Sequence, residues 1–369
     1  MADGIYLDYA AATPLSPKAL EAMKPFWQTE FHNPSAVYLK ARRVKKQLEA
    51  ARASVAACLG TRPAEVVFTA GATEANNLAI QGVMKRWPQG EIIVGATEHE
   101  SVLVPAKLFK HRLIPVDKHG IVDLQRLSKM ISKDTAMISV GMVNNETGAL
   151  QPLAKISQIL KKTSILLHTD AAQAPNCFDI HVSRLGVDLM SLNGGKIYGP
   201  KQSGALYIKA GVKLEPLVYG GGQESGLRSG TENVAADVGF SAALAEAQAR
   251  RKQAAAHLNS LRELFIEELE QKLPQARING SPKAYSPHIV SVFFPGTDNE
   301  RLIMQLDEAG IQAAAGSACS AAEAKPSHVL SAMGLSDADA RSTLRFSFGR
   351  QTTKDDIRQT IEILNKLSI

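Results

Sequence analysis

Short apolar runs alternate with amphipathic segments between about residues 40 and 210. The runs have the length of buried strands, and the segments repeat apolar residues at helical spacing. Strands that alternate with helices indicate βαβ units, and so an α/β fold with a mainly parallel sheet and helices on both faces. The predicted helices are 44–59, 74–86, 102–109, 124–131 and 153–161, and the predicted strands are 66–68, 92–94, 113–116, 137–140, 165–167 and 188–192.

The pattern changes in the second half of the chain. A stretch rich in Ala, Gln, Glu and Arg keeps helical periodicity from residue 234 up to Pro274, which predicts a long helix or a helix pair leaving the first domain. Fewer strands and helices follow, which indicates a smaller α+β domain. The predicted elements there are strands at 288–294 and 343–348 and a helix at 300–309, and the predicted domains are 16–255 (large) and 1–15 with 256–369 (small).

The chain has 369 residues, 45% of them hydrophobic, so it can bury the cores of two or three domains. Its net charge of +6 is spread along the predicted helices, which favours a phosphate ligand or an acidic partner over direct nucleic-acid binding. The sequence contains neither a membrane-spanning run nor a signal-peptide pattern, and we expect a cytoplasmic protein. Cys58, Cys177 and Cys319 include no close pair, so they indicate neither a disulfide framework nor a zinc motif.

A lysine turn follows the predicted strand 188–192. Lys196 comes directly after Gly194 and Gly195, and Asp170 closes the neighbouring strand. The carboxyl ends of strands form the ligand-binding edge of an open α/β sheet. A lysine and an acid at that edge are what pyridoxal phosphate (PLP) requires, one for a Schiff base and one for the pyridinium nitrogen. The alternative is a surface lysine in a turn.

Other polar residues follow strands in the same way. Ala72 and Thr73 start a helix just after a strand and a glycine, a geometry that suits phosphate. His99 could stack on a ring and move protons, and Asn145 could place an amide against a carboxylate or a ring oxygen. Taken singly, these features favour the ordinary alternatives, a capped turn, a solvated histidine and a polar turn; beside the lysine and the acid, a phosphate site becomes the better interpretation.

Two features mark the second domain. Cys319 lies in a segment of small residues, 313–326, which we expect to be mobile, and a cysteine there suits a nucleophile better than a core residue. Arg345 alternates with apolar neighbours on a predicted strand, so it either clamps a substrate carboxylate or forms a surface salt bridge.

The glycine-rich stretch 220–231 predicts a loop that approaches a ligand or another subunit.

These motifs together resemble the cysteine desulfurases of the NifS/IscS type, within the fold-type I, class V aminotransferase-like PLP enzymes. The resemblance covers nearly the whole chain. It is carried by Tyr6-Leu7-Asp8-Tyr9-Ala10, Asn33-Pro34-Ser35, Gly71-Ala72-Thr73-Glu74, Thr97-Glu98-His99, Val143-Asn144-Asn145-Glu146, Asp170-Ala171-Ala172-Gln173, Lys196-Ile197-Tyr198-Gly199-Pro200-Lys201, Arg228-Ser229-Gly230-Thr231, Gly316-Ser317-Ala318-Cys319 and Arg345-Phe346-Ser347.

The resemblance implies a role for each matching residue. The cofactor would be PLP, and the chain would act as a homodimer. Lys196 would form the Schiff base, Asp170 would pair with the ring nitrogen, and Gln173 would contact the ring hydroxyl. His99 would stack on the ring and transfer protons. The residues implied to bind the phosphate are Ala72, Thr73, Asn193 and, from a second subunit, Thr231. The implied substrate contacts are Asn33, Asn145 and Arg345, with Cys319 as the sulfur acceptor.

The implied reaction converts L-cysteine to L-alanine and leaves a persulfide on Cys319. That sulfur would pass to an acceptor protein for iron–sulfur cluster assembly or tRNA thiolation. The alternatives are a selenocysteine lyase or an aminotransferase of the same fold, and a non-catalytic scaffold that has lost PLP. The small-residue segment around Cys319 favours desulfuration, because a transaminase has no use for a mobile nucleophile.

The chain departs from the family at the lysine turn. Family members usually have Ser-Gly-His-Lys, with the serine and histidine helping to hold phosphate, whereas this chain has Asn193-Gly194-Gly195-Lys196. Asn193 can still donate a hydrogen bond, but Gly195 offers only its backbone. The substitution therefore concerns the phosphate contacts and leaves the Schiff-base lysine in place.

Overall fold

A central sheet of seven strands organises the first two thirds of the chain in the computed structural model, which describes residues 4–316 and 326–367. Its strand order is β2-β8-β7-β6-β5-β3-β4, and β8 alone in it runs antiparallel to its neighbours. The mainly parallel α/β fold is thus confirmed. The strands are β2 Val66–Thr69, β3 Glu91–Gly95, β4 His111–Ile114, β5 Thr135–Ser139, β6 Leu166–Asp170, β7 Leu189–Asn193 and β8 Gly204–Ile208.

Helices cover both faces of this sheet. The first long helix ends at Gly60, whose φ of +66° is left-handed; a Cβ there would lie 1.9 Å from His181 Nε2. The described helices of this part are α1 Pro17–Met23, α2 Pro25–Gln28, α3 Leu39–Leu59, α4 Ala72–Met84, α5 Glu100–Ala106, α6 Leu124–Met130, α7 Leu153–Leu160 and α8 Val182–Leu185. The helices α3 to α7 lie within about five residues of the five predicted helices, whereas α1, α2 and α8 are absent from the prediction.

Two strands of the sheet differ from the sequence prediction. The strand predicted at 113–116 is β4, which ends at Ile114, because Pro115 has no N–H to continue the ladder. The strand β8 is absent from the prediction, since no alternation separates its five buried residues from the turns around them.

One long helix connects the two parts of the molecule. The helix α9 spans Val234–Lys272 without a break, so the predicted helix pair is wrong and the single helix is right. Phe240 and Leu244 pack into the core beneath the large sheet, whereas Leu258 and Phe265 pack into a second core. The predicted domain boundary at residue 255 falls between these two sets and stays a prediction.

The second core lies under a three-stranded antiparallel sheet of order β12-β10-β9, and Leu7 from the start of the chain is buried in it. A two-stranded parallel ladder joins β1 to β11. None of the described helices is both long and apolar enough to cross a membrane. The elements of this part are β1 Ile5–Tyr6, β9 Arg277–Asn279, β10 Ile289–Phe293, α10 Asn299–Glu308, β11 Ile311–Gln312, α11 His328–Ala332, α12 Asp337–Arg341, β12 Thr343–Ser347 and α13 Lys354–Lys366.

Candidate active site

A cavity of about 230 Å³ opens at the carboxyl ends of β3, β5, β6 and β7. The N-terminal segment and β12 of the second part close its far side. Nine of the residues that the sequence singled out line it: Ala72, Thr73, His99, Asn145, Asp170, Gln173, Asn193, Lys196 and Arg345.

Two other candidates lie away from this cavity, and a third lies outside the described residues. Asn33 and Thr231 are exposed and together line a separate surface groove, so within one chain neither reaches the Lys196 cavity. Cys319 falls in 317–325, outside the described residues. The roles implied for these three residues therefore stay predictions.

Lys196 ends a single helical turn that follows β7 directly. Its Nζ donates a 2.6 Å hydrogen bond to the carbonyl oxygen of Ala11, which ties the amine to the N-terminal segment. Gly194 makes the turn possible, because a Cβ there would lie 2.1 Å from Ser203 Oγ. The surface-lysine alternative is wrong, since this side chain lines the cavity.

The backbone at Gly195, where family members usually have histidine, would accept a Cβ atom without a clash. A Cβ at Gly195 would meet Asn193 Oδ1 at 3.5 Å and Lys201 Cδ at 3.7 Å, both ordinary contacts. Asn193 Oδ1 accepts from the Gly195 N–H at 3.0 Å, so this side chain holds its own turn. The carbonyl of Gly195 accepts from the N–H and the hydroxyl of Thr13.

Asp170 is the last residue of β6, and two donors orient its carboxylate. Oδ2 accepts a 2.7 Å hydrogen bond from Asn76 Nδ2, and Oδ1 accepts from the N–H of Ala172 at 2.8 Å. Asn76 is fully buried on α4, and its Nδ2 also donates to Ser101 Oγ. No sequence pattern distinguished Asn76 from the other polar residues of its helix.

His99 caps the N-terminus of α5. Its Nδ1 accepts from the N–H of Ser101 at 3.1 Å and lies 2.8 Å from Ser101 Oγ. An Nδ1 that accepts an N–H has no proton of its own, so the neutral ring carries its proton on Nε2. The solvated-histidine alternative is wrong, because the ring is half-buried at the cavity wall.

A buried acid that the sequence did not single out sits beside Asp170. The Glu98 carboxyl is 5% exposed, and both of its oxygens accept from the N–H of Gly141. Burial raises the pKa of Glu98 to about 8; the Gly141 N–H opposes that rise and the charge of Asp170 adds to it. Glu98 is therefore mainly protonated at pH 7. The signal in the sequence was an acid three residues after the end of a buried strand.

Two further histidines are buried as neutral rings. His168, on β6, lies between Ser139 Oγ at 2.8 Å and Ser191 Oγ at 3.0 Å, and burial lowers its pKa to about 3. His288 lies 3.2 Å from Gln173 Oε1, and burial, aided by the charge of Arg345, lowers its pKa to about 4. These contacts fix the sheet beneath the cavity and the side chain of Gln173.

Arg345 lies on β12 and is 2% exposed. Its Nη2 lies 2.6 Å from Asp8 Oδ1, and its Nη1 donates a 2.9 Å hydrogen bond to the carbonyl of Asn145. Its Nε is buried without a hydrogen-bond partner among the described residues. The alternative of a surface salt bridge is therefore wrong, because Arg345 forms its ion pair in the wall of the cavity and not at the surface.

Both ends of the segment that contains Cys319 are attached near this wall. Ser327 Oγ donates a 2.5 Å hydrogen bond to Glu146 Oε2. His328 Nε2 lies 2.9 Å from the carbonyl oxygen of Glu98. On the other side, the N–H of Ala314 donates a 3.2 Å hydrogen bond to the carbonyl of Arg345, so the chain is held both before and after residues 317–325.

The donor set fits a PLP molecule. The first turn of α4 supplies the N–H groups of Ala72 and Thr73 after Gly71, whose φ of +116° allows the sharp entry. Around one cavity, Lys196 supplies an amine, the oriented carboxylate of Asp170 supplies an anion, and the ring of His99 supplies a face for stacking. Fold and site together define a PLP-dependent enzyme of fold-type I.

Comparisons with known proteins identify the family. The model of the family described as "Aminotransferase class-V" matches residues 5–360. "Cysteine desulfurase IscS" of Dictyoglomus turgidum is 39% identical over 370 residues, which cover 98% of this chain and 94% of that protein. The human "Cysteine desulfurase" is 39% identical over 368 residues, covering 97% and 80% of the two chains.

Solved structures agree with this result. A "NIFS-LIKE PROTEIN" superposes with a TM-score of 0.93 at 32% identity and covers 99% of each chain. A structure titled "SspA in complex with cysteine" superposes with a TM-score of 0.82 at 35% identity and covers 93% of this chain and 98% of the other. The chain belongs to the class V aminotransferase family and, within it, to the PLP-dependent cysteine desulfurases of the NifS/IscS type.

Proposed function

We propose that this enzyme removes sulfur from L-cysteine, releases L-alanine and holds the sulfur as a persulfide on Cys319. One observation carries the proposal. A single cavity combines Lys196, Asp170, His99 and Arg345, and the chain before and after the Cys319 segment is hydrogen-bonded to residues of its wall, Ala314 to Arg345 and His328 to Glu98. The titled complex of the similar SspA with cysteine supports the choice of substrate.

PLP, when bound, supplies an electron sink that stabilises negative charge on the substrate carbon. Lys196 would hold it covalently, and the first-turn N–H groups of Ala72 and Thr73 would bind its phosphate. Asp170, oriented by Asn76, would keep the ring nitrogen protonated. Gln173, held by Ala10 and His288, would lie at the ring hydroxyl.

The substrate carboxylate would bind Arg345 and Asn145, and His99 Nε2 would exchange protons with the groups that react. Cys319, as a thiolate, would attack the substrate sulfur. An S–S bond forms and the C–S bond breaks, with its electron pair left on the substrate carbon. That carbon takes up a proton, and alanine leaves.

We propose a homodimer as the working unit. Large apolar side chains cluster in sequence around Asn33 and the glycine-rich stretch, and an apolar patch of this kind marks an interface. The exposed ones are Trp27, Phe31, Val37, Tyr38, Leu39 and Tyr219. A partner copy seated there would bring Thr231 to the phosphate end of the neighbouring cavity. Sedimentation of the purified protein measures this: a monomer at micromolar concentration contradicts it.

The acceptor of the sulfur is proposed to be a protein of iron–sulfur cluster assembly or of tRNA thiolation, as the IscS relatives' family implies. A cytoplasmic location is part of the same proposal. The described cysteines support it, since Cys58 and Cys177 are free thiols and persist in a reducing compartment.

The experiment that tests the function measures products. Holoenzyme with L-cysteine and a thiol reductant should yield alanine and sulfide in equal amounts, and Cys319→Ser should abolish persulfide formation while L-alanine still changes the visible spectrum. A keto acid that appears only with an added amine acceptor would identify an aminotransferase. A protein that stays colourless with PLP would identify a scaffold, and a strong preference for selenocysteine would identify a lyase for that substrate.

A further inference from the structure

The guanidinium of Arg345 has an anionic partner within the chain itself. Asp8 lies two residues after the end of β1 and forms a backbone bridge to Ser347 on β12, which brings its carboxylate within 2.6 Å of Arg345 Nη2. The Asp8 side chain is 20% exposed and that of Arg345 only 3%. A buried guanidinium needs a counter-charge, and Asp8 supplies it.

The remaining contacts of Arg345 are neutral. Nη1 donates to a backbone carbonyl, that of Asn145, and Nε has no hydrogen-bond partner among the described residues. A ligand carboxylate bound here would be the second anion on one guanidinium. Two like charges a few ångströms apart repel, and the repulsion is strong where water is excluded.

We propose that Asp8 is a specificity-determining residue that weakens the binding of amino-acid carboxylates to Arg345. The inference rests on the proposed role of Arg345. Substrate and product, cysteine and alanine, carry the same carboxylate and amine, so a strong carboxylate contact would hold both equally and slow the release of alanine. Because the Asp8 carboxylate competes for Arg345, the carboxylate that cysteine and alanine share contributes little to the binding of either. The enzyme then distinguishes substrate from product by the sulfur, which only the substrate has.

Asp8 is not needed to attach its segment. Ser347 Oγ accepts from the N–H of Ala10 at 2.9 Å, and the Ser347 N–H donates to the carbonyl of Leu7 at 2.7 Å. These bonds hold the backbone on either side of Asp8. The isosteric change Asp8→Asn therefore removes the charge and retains the shape, whereas Ser347→Ala loosens the same segment and retains the charge.

The test is the equilibrium binding of L-alanine to the holoenzyme, followed by its visible absorbance, so that no turnover is involved. Asp8→Asn should bind L-alanine about tenfold more tightly than the unchanged chain. Asp8→Glu, which keeps the charge, and Ser347→Ala should both stay within about twofold of it. Propionate, a carboxylate without an amine, should compete with L-alanine more strongly in Asp8→Asn.

Each outcome assigns the result. Unchanged or weaker binding of L-alanine by a folded Asp8→Asn overturns the role of Asp8. Should Asp8→Asn fail to fold, Asp8→Glu decides: a Kd more than about tenfold from that of the unchanged chain means that Asp8 positions Arg345 and does not compete. The variant Arg345→Gln tests the underlying assignment, because an unchanged Kd for L-alanine there means that Arg345 does not bind the carboxylate at all.

Discussion

The amide of Asn76, on α4, donates a 2.7 Å hydrogen bond to the carboxylate of Asp170, at the end of β6. The same nitrogen donates to Ser101 Oγ, which lies 2.8 Å from Nδ1 of His99. The acid proposed for the ring nitrogen and the histidine proposed for proton transfer are thus joined through one buried amide. A change at Asn76 should disturb both.

Asn76→Ala is expected to weaken PLP binding by about tenfold, because the Asp170 carboxylate loses a charge-assisted hydrogen bond and its orientation. Equilibrium titration of the apoprotein with PLP measures this. Ser101→Ala is the matched control, since it removes the His99 end of the chain of contacts and leaves the bond to Asp170. Equal PLP affinity in Asn76→Ala and the unchanged protein would show that Asp170 does not depend on this amide.

Lys196→Ala should lose the covalent attachment of PLP. The purified variant is expected to show no visible band that borohydride bleaches and no PLP adduct by mass spectrometry. Lys201→Ala is the control, because Lys201 Nζ also donates to a backbone carbonyl nearby, that of Thr13. A borohydride-stable adduct that persists in Lys196→Ala and vanishes in Lys201→Ala would transfer the role to Lys201.

Gly195→His should strengthen PLP binding by about threefold to tenfold, since the space beside Gly195 accepts a side chain and an imidazole can donate to phosphate. The neighbouring Gly194→Ala is the contrast: its Cβ would lie 2.1 Å from Ser203 Oγ, and it should lower the melting temperature. Apoprotein titration and thermal unfolding together report both changes. Weaker PLP binding in a folded Gly195→His would mean that the glycine is adapted to this site.

The protonation of Glu98 contributes to the free energy of unfolding, and this contribution falls as pH rises. The pKa of Glu98 is raised from 4.5 to about 8 in the folded chain, so the folded state keeps a proton that the unfolded chain has lost. Its contribution is complete below about pH 4.5 and disappears towards pH 8. The buried histidines, with lowered pKa values, act in the opposite direction and only below their ordinary value of 6.5.

Glu98→Gln should therefore gain stability relative to the unchanged protein as the pH rises from 6.5 to 8. Urea unfolding at several pH values gives the difference. Glu100→Gln, at an exposed glutamate two residues away, should show a constant difference over that range. A difference for Glu98→Gln that does not change with pH would mean that Glu98 is already ionised at neutral pH.

Ser327→Ala should slow persulfide formation and leave L-alanine binding unchanged, because it cuts the bond from Glu146 to one end of the Cys319 segment. Glu146→Gln, whose amide oxygen still accepts from the serine hydroxyl, should retain most of the rate. Ser336→Ala removes a similar helix cap from α12 and serves as the control. The measurement is the rate of persulfide labelling. Equal rates in Ser327→Ala and Ser336→Ala would contradict the prediction, and would mean that the bond between Ser327 and Glu146 has no effect on persulfide formation.

The sequence by itself determined the features that depend on local pattern. Apolar periodicity predicted most of the large sheet and its helices, because strand and helix spacing are properties of neighbouring residues. The position of Lys196 and Asp170 at the ends of adjacent strands followed from that order alone, since parallel strands share one ligand-binding edge. The family motifs then added the implied roles.

Only the tertiary structure decided the contacts between distant segments. Asp8 meets Arg345 across 337 positions of the chain, and Lys196 meets Ala11 across 185. Burial raises the pKa of Glu98, the charge of Asp170 adds to the rise, and the N–H of Gly141 opposes it; all three come from parts of the chain that are distant in sequence. No local pattern encodes such pairs, because burial and charge pairing arise when the fold brings separate elements together and excludes water between them.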